Sequence, residues 1–175
     1  MNFERVANFN FGHVAVEIQK APCWNWLNLR RVQGLMHNDV EDIVLRFQSL
    51  EGKHDPAYYM EHLDCVDYVV QQQFPLTMTL AAWLSKGRPI GRVMIAKLKS
   101  HGIIGAHIDE GEYAKQHDRY HCVVATNKDV VFTCNGEICH MAAGDIWWLN
   151  NKSTHSVANH GDTDRIHIII DIRKA

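Results

Sequence analysis

Histidine is the outlying residue type of this chain. Twelve of its 175 residues are histidine, more than the four prolines and five cysteines together. Histidine is the commonest metal-ligating side chain, so the positions of these twelve come first. His107-Ile108-Asp109 falls at the end of an expected strand. Side chains two apart on a strand share a face. His107 and Asp109 can therefore reach one ion while Ile108 turns away. Alone, a His-x-Asp pair is a weak signal. His155 strengthens it, lying 46 residues after Asp109 (155 − 109) at the start of another expected strand. Four strands fit between them, enough for the chain to fold back beside the first pair. Two imidazoles and one carboxylate leave three coordination positions open, as in the facial triad of non-haem Fe(II) oxygenases. Open positions suit a cosubstrate that chelates through two atoms, with dioxygen in the third place.

Basic residues stand at telling intervals from this triad. Arg165 follows His155 by ten residues. If His160-Gly161-Asp162 is a three-residue turn, Val157 pairs with Arg165 and His155 with His167. Arg165 then sits two residues along the strand from the metal, roughly 7 Å away. A short dicarboxylate bridging metal and guanidinium needs a separation of that order, and the planar guanidinium fork pairs bidentately with the far carboxylate. Arg119-Tyr120-His121 adds a second cation and an imidazole on one strand face, with Cys122 and Val124 on alternate faces from them. These two side chains suit the near carboxylate of a cosubstrate, or an acidic group of a substrate. Each piece also has a plain reading as a strand-end surface residue; the combination carries the signal.

The elements that must position these residues change character at Gly91. Beyond it, short apolar runs separated by Gly, Asn or Asp predict strands near 92–98, 104–109, 119–126, 129–134, 137–142, 145–150, 154–159 and 164–172. Asn135-Gly136 is the strongest hairpin signal. Eight short strands at this spacing predict a mainly β fold with flanking helices, its core a double-stranded β-helix or jelly roll of cupin-like form. Before Gly91 the texture is mixed. Val14–Ile18 and Ile43–Phe47 read as strands, with a loop holding Pro22, Trp24 and Trp26 between them. Tyr58 to Gln73 reads as a helix ended by Pro75, and Thr77 to Lys86 as another stopped by Gly87 and Pro89. The expectation is one domain over 1–175, with helices and accessory strands in 1–90 buttressing a jelly-roll core in 91–173.

Composition bounds the partners. The chain is 46% hydrophobic and 22% charged, with a net charge of −2. That balance argues against a nucleic-acid partner, since Arg92, Lys97 and Lys99 form only a modest basic cluster. No run approaches the roughly 18 apolar residues of a membrane span. Met1-Asn2-Phe3-Glu4-Arg5 shows no secretory pattern. Cys23, Cys65, Cys122, Cys134 and Cys139 are odd in number and form no CxxC pair, as expected of reduced thiols in the cytoplasm.

The ordered set HID at 107–109, RYH at 119–121, GDIWWLNNKSTH at 144–155 and Arg165 leading into IHIIID resembles the aspartyl/asparaginyl β-hydroxylase-like branch of the Fe(II)/2-oxoglutarate dioxygenases. The likeness runs from about Arg92 to Ile172. The resemblance implies that His107, Asp109 and His155 bind Fe(II), that Arg119, His121 and Arg165 hold 2-oxoglutarate, and that Arg165 takes the far carboxylate. It implies hydroxylation of a C–H bond by O2, with succinate and CO2 as coproducts. The best-known members of the branch carry glycine in the place of Asp109. With aspartate present, this chain looks nearer the free-amino-acid hydroxylases of the family and unlike a halogenase.

The implied substrate is an amino acid, free or in a peptide, and the small size favours a small molecule or a short segment. Arg46, Trp24 and Trp26 are candidates for the pocket wall. Trp147 or Trp148, on opposite strand faces, is a candidate for an apolar wall beside the metal, and His167 for a lining residue opposite His155. Asn150-Asn151 reads as the turn before His155. Two other functions fit parts of the pattern. A cupin-type metalloenzyme that does not use 2-oxoglutarate would have no need of Arg165. A non-catalytic jelly-roll module binding a small ligand would need neither the full triad nor Arg165.

Overall fold

Alternation along the strands divides their side chains between two separate cores. A computed structural model describes residues 1–27, 37–49 and 55–175. In chain order it contains β1 (Phe3–Asn8), α1 (Gly12–Gln19), β2 (Val40–Phe47), α2 (Pro56–Glu61), β3 (Val66–Asp67), α3 (Pro75–Ser85), β4 (Ile90–Leu98), β5 (Ile103–His107), α4 (Gly111–Gln116), β6 (His117–Ala125), β7 (Val130–Cys134), β8 (Glu137–Cys139), β9 (Asp145–Leu149), β10 (His155–Asn159) and β11 (Arg165–Arg173). The eight strands expected after Gly91 correspond to β4 through β11. They pair antiparallel as β9-β6-β11-β4 in one sheet and β5-β10-β7-β8 in the other. That alternation between facing sheets is the eight-stranded jelly roll. β1 adds to one edge of the larger sheet and β2 and β3 to the other, making it seven-stranded.

Odd-numbered residues of β6 and β11 and even-numbered residues of β4 point between the sheets. Met94, Ala96, Val123, Phe132, Val157 and Ile169 meet there. The opposite faces carry Val93, Ile95, Cys122, Ile168 and Ile170, and these pack under α1 and α3 through Val14, Ile18, Leu80 and Leu84. The helices thus cover one outer face, as the sequence suggests. Asn135 and Gly136, both at positive φ, form the β7–β8 turn. That conformation is what an Asn-Gly hairpin requires.

Three expectations are corrected. Val14–Ile18 is part of helix α1. A strand would place Val14, Val16 and Ile18 on one face, whereas Val14 and Ile18 are buried and Val16 is 45% exposed, the four-residue spacing of a helix. The 58–73 helix ends at Glu61. Val66-Asp67 is drawn to the edge of β2, where Asp67 accepts a 2.7 Å hydrogen bond from Arg46, and Val69–Gln73 forms a 3-10 turn. Tertiary edge pairing here overrides local periodicity. Finally, β5 ends at His107, two residues before the expected boundary. α3 begins at Pro75, and its first N–H groups donate to Glu17 of α1, at 2.7 Å from Leu76 and 3.0 Å from Thr77. A carboxylate at a helix N-terminus satisfies donors that have no partner within the helix.

α2 and α4 pack together at one mouth of the sandwich. Gly111 opens α4 at φ +88°, and a Cβ there would lie 2.5 Å from the Met60 carbonyl oxygen. Gly111→Ala meets both backbone strain and a collision, so a stability loss of about 1–3 kcal/mol is expected. Urea unfolding measures it, and an unchanged midpoint would contradict this account of the α2–α4 contact.

Candidate metal centre and its adjoining cavities

His107 and His155 are directly opposed across the β5–β10 ladder, with ring centroids 4.2 Å apart. Ligand atoms of His107, Asp109 and His155 all lie within 4.8 Å of one another. The Nδ1 of His107 is 2.8 Å from the Gly105 carbonyl, and that of His155 is 2.9 Å from the Ser153 carbonyl. A carbonyl only accepts, so each Nδ1–H donates, and Nε2 is the nitrogen left to face a metal. The two rings are thus held in the tautomer a metal needs. Burial pulls the pKa of His155 down, outweighing the opposite pull of Asp109, which keeps the ring neutral.

Asp109 lies beyond the strand, where its own N–H donates to the Asn151 carbonyl at 2.9 Å. Asn151 Nδ2 returns a 3.0 Å hydrogen bond to Asp109 Oδ2, which also accepts from Arg119. Oδ1 stands 3.8 Å from His107 Nε2. Burial alone would raise the Asp109 pKa. The Arg119 guanidinium, both imidazoles and Asn151 outweigh it and hold the carboxyl well below the usual range.

Arg119 is fixed from behind. It is buried on β6, opposite Asp171 of β11, and reaches Asp171 through two 2.8 Å hydrogen bonds. Burial would lower its pKa, but Asp109 and Asp171 raise it above the ordinary guanidinium value. One guanidinium therefore joins two carboxylates, one buried at the back and one at the cluster. Three of its five N–H groups are committed in this way, and two are not.

Arg165 is 1% exposed. Its NH2 donates to His167 Nδ1 at 2.7 Å, and the guanidinium lies 5.6 Å from the Phe132 ring centre. His121 Nδ1 stands 3.5 Å from the same His167 atom. The Nε2 atoms of His121 and His167 are buried without a partner among the described residues. Burial first, then the Arg165 charge, pushes both rings well below the ordinary histidine pKa.

The expected β10–β11 hairpin does not form. β10 pairs with β5 and β7, whereas β11 pairs with β4 and β6, so Arg165 faces Leu98 and His167 faces Ala96 and Val123. The chain after Asn159 crosses from one sheet to the other, with Asn159 Nδ2 bonded to the carbonyls of Lys99 and Thr163 at 3.0 and 2.9 Å. Arg165 nevertheless reaches the neighbourhood of His155, across the gap between facing sheets. His155, Arg119, His121, Phe132 and Arg165 all line an inner crevice of about 30 Å³. An outer cavity of about 390 Å³ opens beside it, lined by Tyr59, Arg92, Tyr113, Asp109 and Arg119 among others. His37, His107 and Arg119 border both.

Several candidates fall elsewhere. Arg46 bonds the Ile90 carbonyl and Asp67. Trp24 is 74% exposed, and Trp26 stacks under Lys97. None of the three lines either cavity. Trp147 packs against the inter-sheet core, while Trp148 turns outward to Asp118; His167 supports Arg165 without bordering the crevice. Lys97 and Lys99 both pair with Glu41. Arg92 turns the other way, into the outer cavity, so the three do not form one basic surface. All five cysteines are free. Sequence reading missed Asn151 as the residue bracing Asp109, Asp171 as the partner of Arg119, and His37, whose ring lies edge-on to His107 at 5.1 Å. Asp171 had a signal: it shares the odd-numbered face of β11 with Arg165 and His167. His37 had none.

The chain belongs to the aspartyl/asparaginyl β-hydroxylase family, whose profile matches residues 41–175. An L-proline cis-4-hydroxylase of Rhizobium meliloti (strain 1021) is 34% identical over 77 residues, covering 44% of this chain and 28% of the relative. The chain thus matches less than a third of that relative's length. Among solved structures, a predicted oxalate decarboxylase of Thermotoga maritima aligns with a TM-score of 0.40 at 21% identity, covering 55% of this chain and 74% of that one. A cupin domain of Bordetella pertussis aligns with a TM-score of 0.40 at 16% identity, covering 49% and 84%. No helix among the described residues is long and apolar enough to cross a membrane.

His121 and His167 generate a pH dependence. Their folded pKa values lie below the unfolded value of about 6.5, so the unfolded state binds more protons as the pH falls. Their contribution to stability is present above about pH 6.5 and is lost below it, by up to about 1.4 kcal/mol per pH unit for each ring. The thermal midpoint of metal-free protein should therefore fall between about pH 6.5 and pH 5, and His121→Phe should flatten that fall. An equal fall in the variant would contradict the assignment.

Proposed function

We propose that this chain is an Fe(II)/2-oxoglutarate-dependent dioxygenase that hydroxylates a C–H bond of an amino acid, free or in a short peptide. One observation carries the reading: two imidazoles and a carboxylate converge within 4.8 Å, beside a crevice that ends on a buried guanidinium. The donor set fits the metal. Both Nδ1 atoms are taken up by backbone carbonyls, which leaves Nε2 as the ligating nitrogen of each ring, the carboxylate is held ionised, and three ligands leave positions open. Fe(II) and 2-oxoglutarate, when bound, would supply the oxidising chemistry, with dioxygen consumed and succinate and CO2 released.

The chain's own residues orient and shield. Asn151 and Arg119 hold Oδ2 of Asp109, which turns Oδ1 toward the imidazoles. Arg165 presents a fixed cation for the far carboxylate of the diacid, its fork braced by His167. His121, kept neutral by burial and by Arg165, and the uncommitted N–H groups of Arg119 are the donors for the near end. Phe132, Ile104 and Val157 form the apolar part of the crevice wall, and burial among them strengthens each of these polar contacts. The outer cavity, more than ten times larger than the crevice, is the place for the substrate. An L-proline hydroxylase as relative places free amino acids, L-proline among them, first in the substrate screen.

The test is a screen of free amino acids and short peptides for succinate release matched by a 16-dalton gain. Arg165→Ala should raise the KM for 2-oxoglutarate by about 100-fold or more, the loss of one desolvated charge pair. His155→Ala should abolish turnover. Activity on some substrate that survives Arg165→Ala without 2-oxoglutarate would instead identify a cupin-type metalloenzyme. Bound iron with no succinate from any candidate would overturn the proposal.

A further inference from the structure

Helix α3 carries no charged side chain along its whole length, Pro75–Ser85. Leu80, Ala81 and Leu84 are buried in the core between helices and sheet. The exposed positions are Pro75, Leu76, Thr79, Ala82, Trp83 and, at the C-cap, Lys86. Steps of three and four residues keep all of these on one face. The outward face of a surface helix ordinarily carries charged and polar side chains. This one is apolar or small until Lys86.

The face has a knob at one end and a hollow at the other. Trp83 is 53% exposed. Its ring leans on Phe9 with 6.1 Å between ring centres, and Phe9 leans on the buried Phe11 at 5.3 Å. The indole thus has an aromatic footing. At the other end a shallow hollow of about 350 Å³ lies between α1 and α3. Val16, Pro75 and Leu76 form the apolar part of its wall, and Glu17 and Lys20 border it. Glu17 is fixed there by its hydrogen bonds from the first N–H groups of α3.

Knob and hollow stand on one helix eight residues apart (83 − 75), about 12 Å at 1.5 Å per residue. A two-fold axis midway between them passes at Thr79. Two copies related by that axis lay α3 antiparallel on α3, and each Trp83 enters the other copy's hollow. Thr79 and Ala82 are small, so the helices can approach to about 8 Å at the axis. Lys86 then lies over the end of the opposing helix where the other copy's Glu17 sits, so opposite charges meet twice by symmetry. A patch that serves both subunits in the same way closes on itself. Both knobs and both hollows are used, with none left over to recruit a third copy.

We propose that this α1–α3 face is a homodimer interface, its occupant a second copy of this chain. The proposal does not depend on the hydroxylase reading. No residue of α1 or α3 lines the inner crevice or the outer cavity, so the pairing does not run through the candidate site. The face is smaller than the roughly 20–30 residues a side of a standard interface. A reversible dimer with a dissociation constant of about 1–100 µM is expected.

Sedimentation velocity of the full chain from about 1 to 300 µM spans that range. The sedimentation coefficient should rise with concentration from the monomer value to the dimer value. Trp83→Glu should leave only monomer throughout. Lys86→Glu should weaken the dimer by about 10-fold, two exposed charge pairs being turned from attraction to repulsion. Cross-linking reads the geometry. In a Cys23→Ser background, which removes the exposed native thiol, Thr79→Cys should give a covalent dimer with an added oxidant, because the axis brings position 79 of both copies together. Lys115→Cys, exposed on α4 and off this face, should not. Wild type that stays monomeric to about 300 µM would overturn the proposal. A blue shift of tryptophan emission on phosphatidylcholine vesicles, lost in Trp83→Glu, would then assign the face to a lipid surface. A dimer unchanged by Trp83→Glu, or cross-linking no better from position 79 than from position 115, would also overturn it. The wild-type concentration series stands even if a variant folds poorly.

Discussion

A guanidinium shared between two carboxylates sets the geometry of the site. Arg119 is gripped by Asp171 on one side and holds Asp109 on the other. Each of these charges would be costly to bury alone, and each is tolerable only because the other two are present. The triad does more than cancel charge. Asp171 sits on the larger sheet, Asp109 on the loop leaving the smaller one, and Arg119 ties the two across the gap. With Asn151 on its other flank, Asp109 has its outer oxygen occupied, so the inner oxygen faces the two imidazoles.

Period-two alternation makes this arrangement possible. The inner face of β11 carries Arg165, His167, Ile169 and Asp171, and the inner face of β6 carries Arg119, His121 and Val123. Apolar residues on these faces build the inter-sheet core, and the polar ones cluster where the sheets splay. The outer face of β11 is wholly isoleucine, at 166, 168, 170 and 172, and with Cys122 and Val124 of β6 it takes the packing of α1 and α3. Stability and chemistry are thus assigned to opposite faces of the same strands. The small crevice is lined by Arg165, and the larger cavity opens beside it with Arg92 in its wall.

The jelly roll was legible because its signals are local. Short apolar runs, their turn residues and one Asn-Gly pair locate eight strands without any long-range information. His107, Asp109 and His155 were legible for the same reason, each standing at the end of such a run. Contacts that depend on which strands become neighbours were not. The β10–β11 hairpin was expected from the short His160-Gly161-Asp162 segment, but a jelly roll sends those strands to different sheets. Arg165 still comes near the cluster, by facing it across the core. α1 was misread because Val14, Val16 and Ile18 alternate as a strand would, and only the exposure of Val16 separates the two. Arg92 looked like one of three surface cations until the face of β4 was known.

The central claim is that one ferrous ion is held by His107, Asp109 and His155 with a keto acid bound beside it. Anaerobic titration of the protein with Fe(II) and 2-oxoglutarate tests this most directly. The account predicts a visible charge-transfer absorption that saturates at one equivalent of each per chain and disappears in His107→Ala. Absence of the band with iron bound, or a band unaltered by loss of His107, would contradict it.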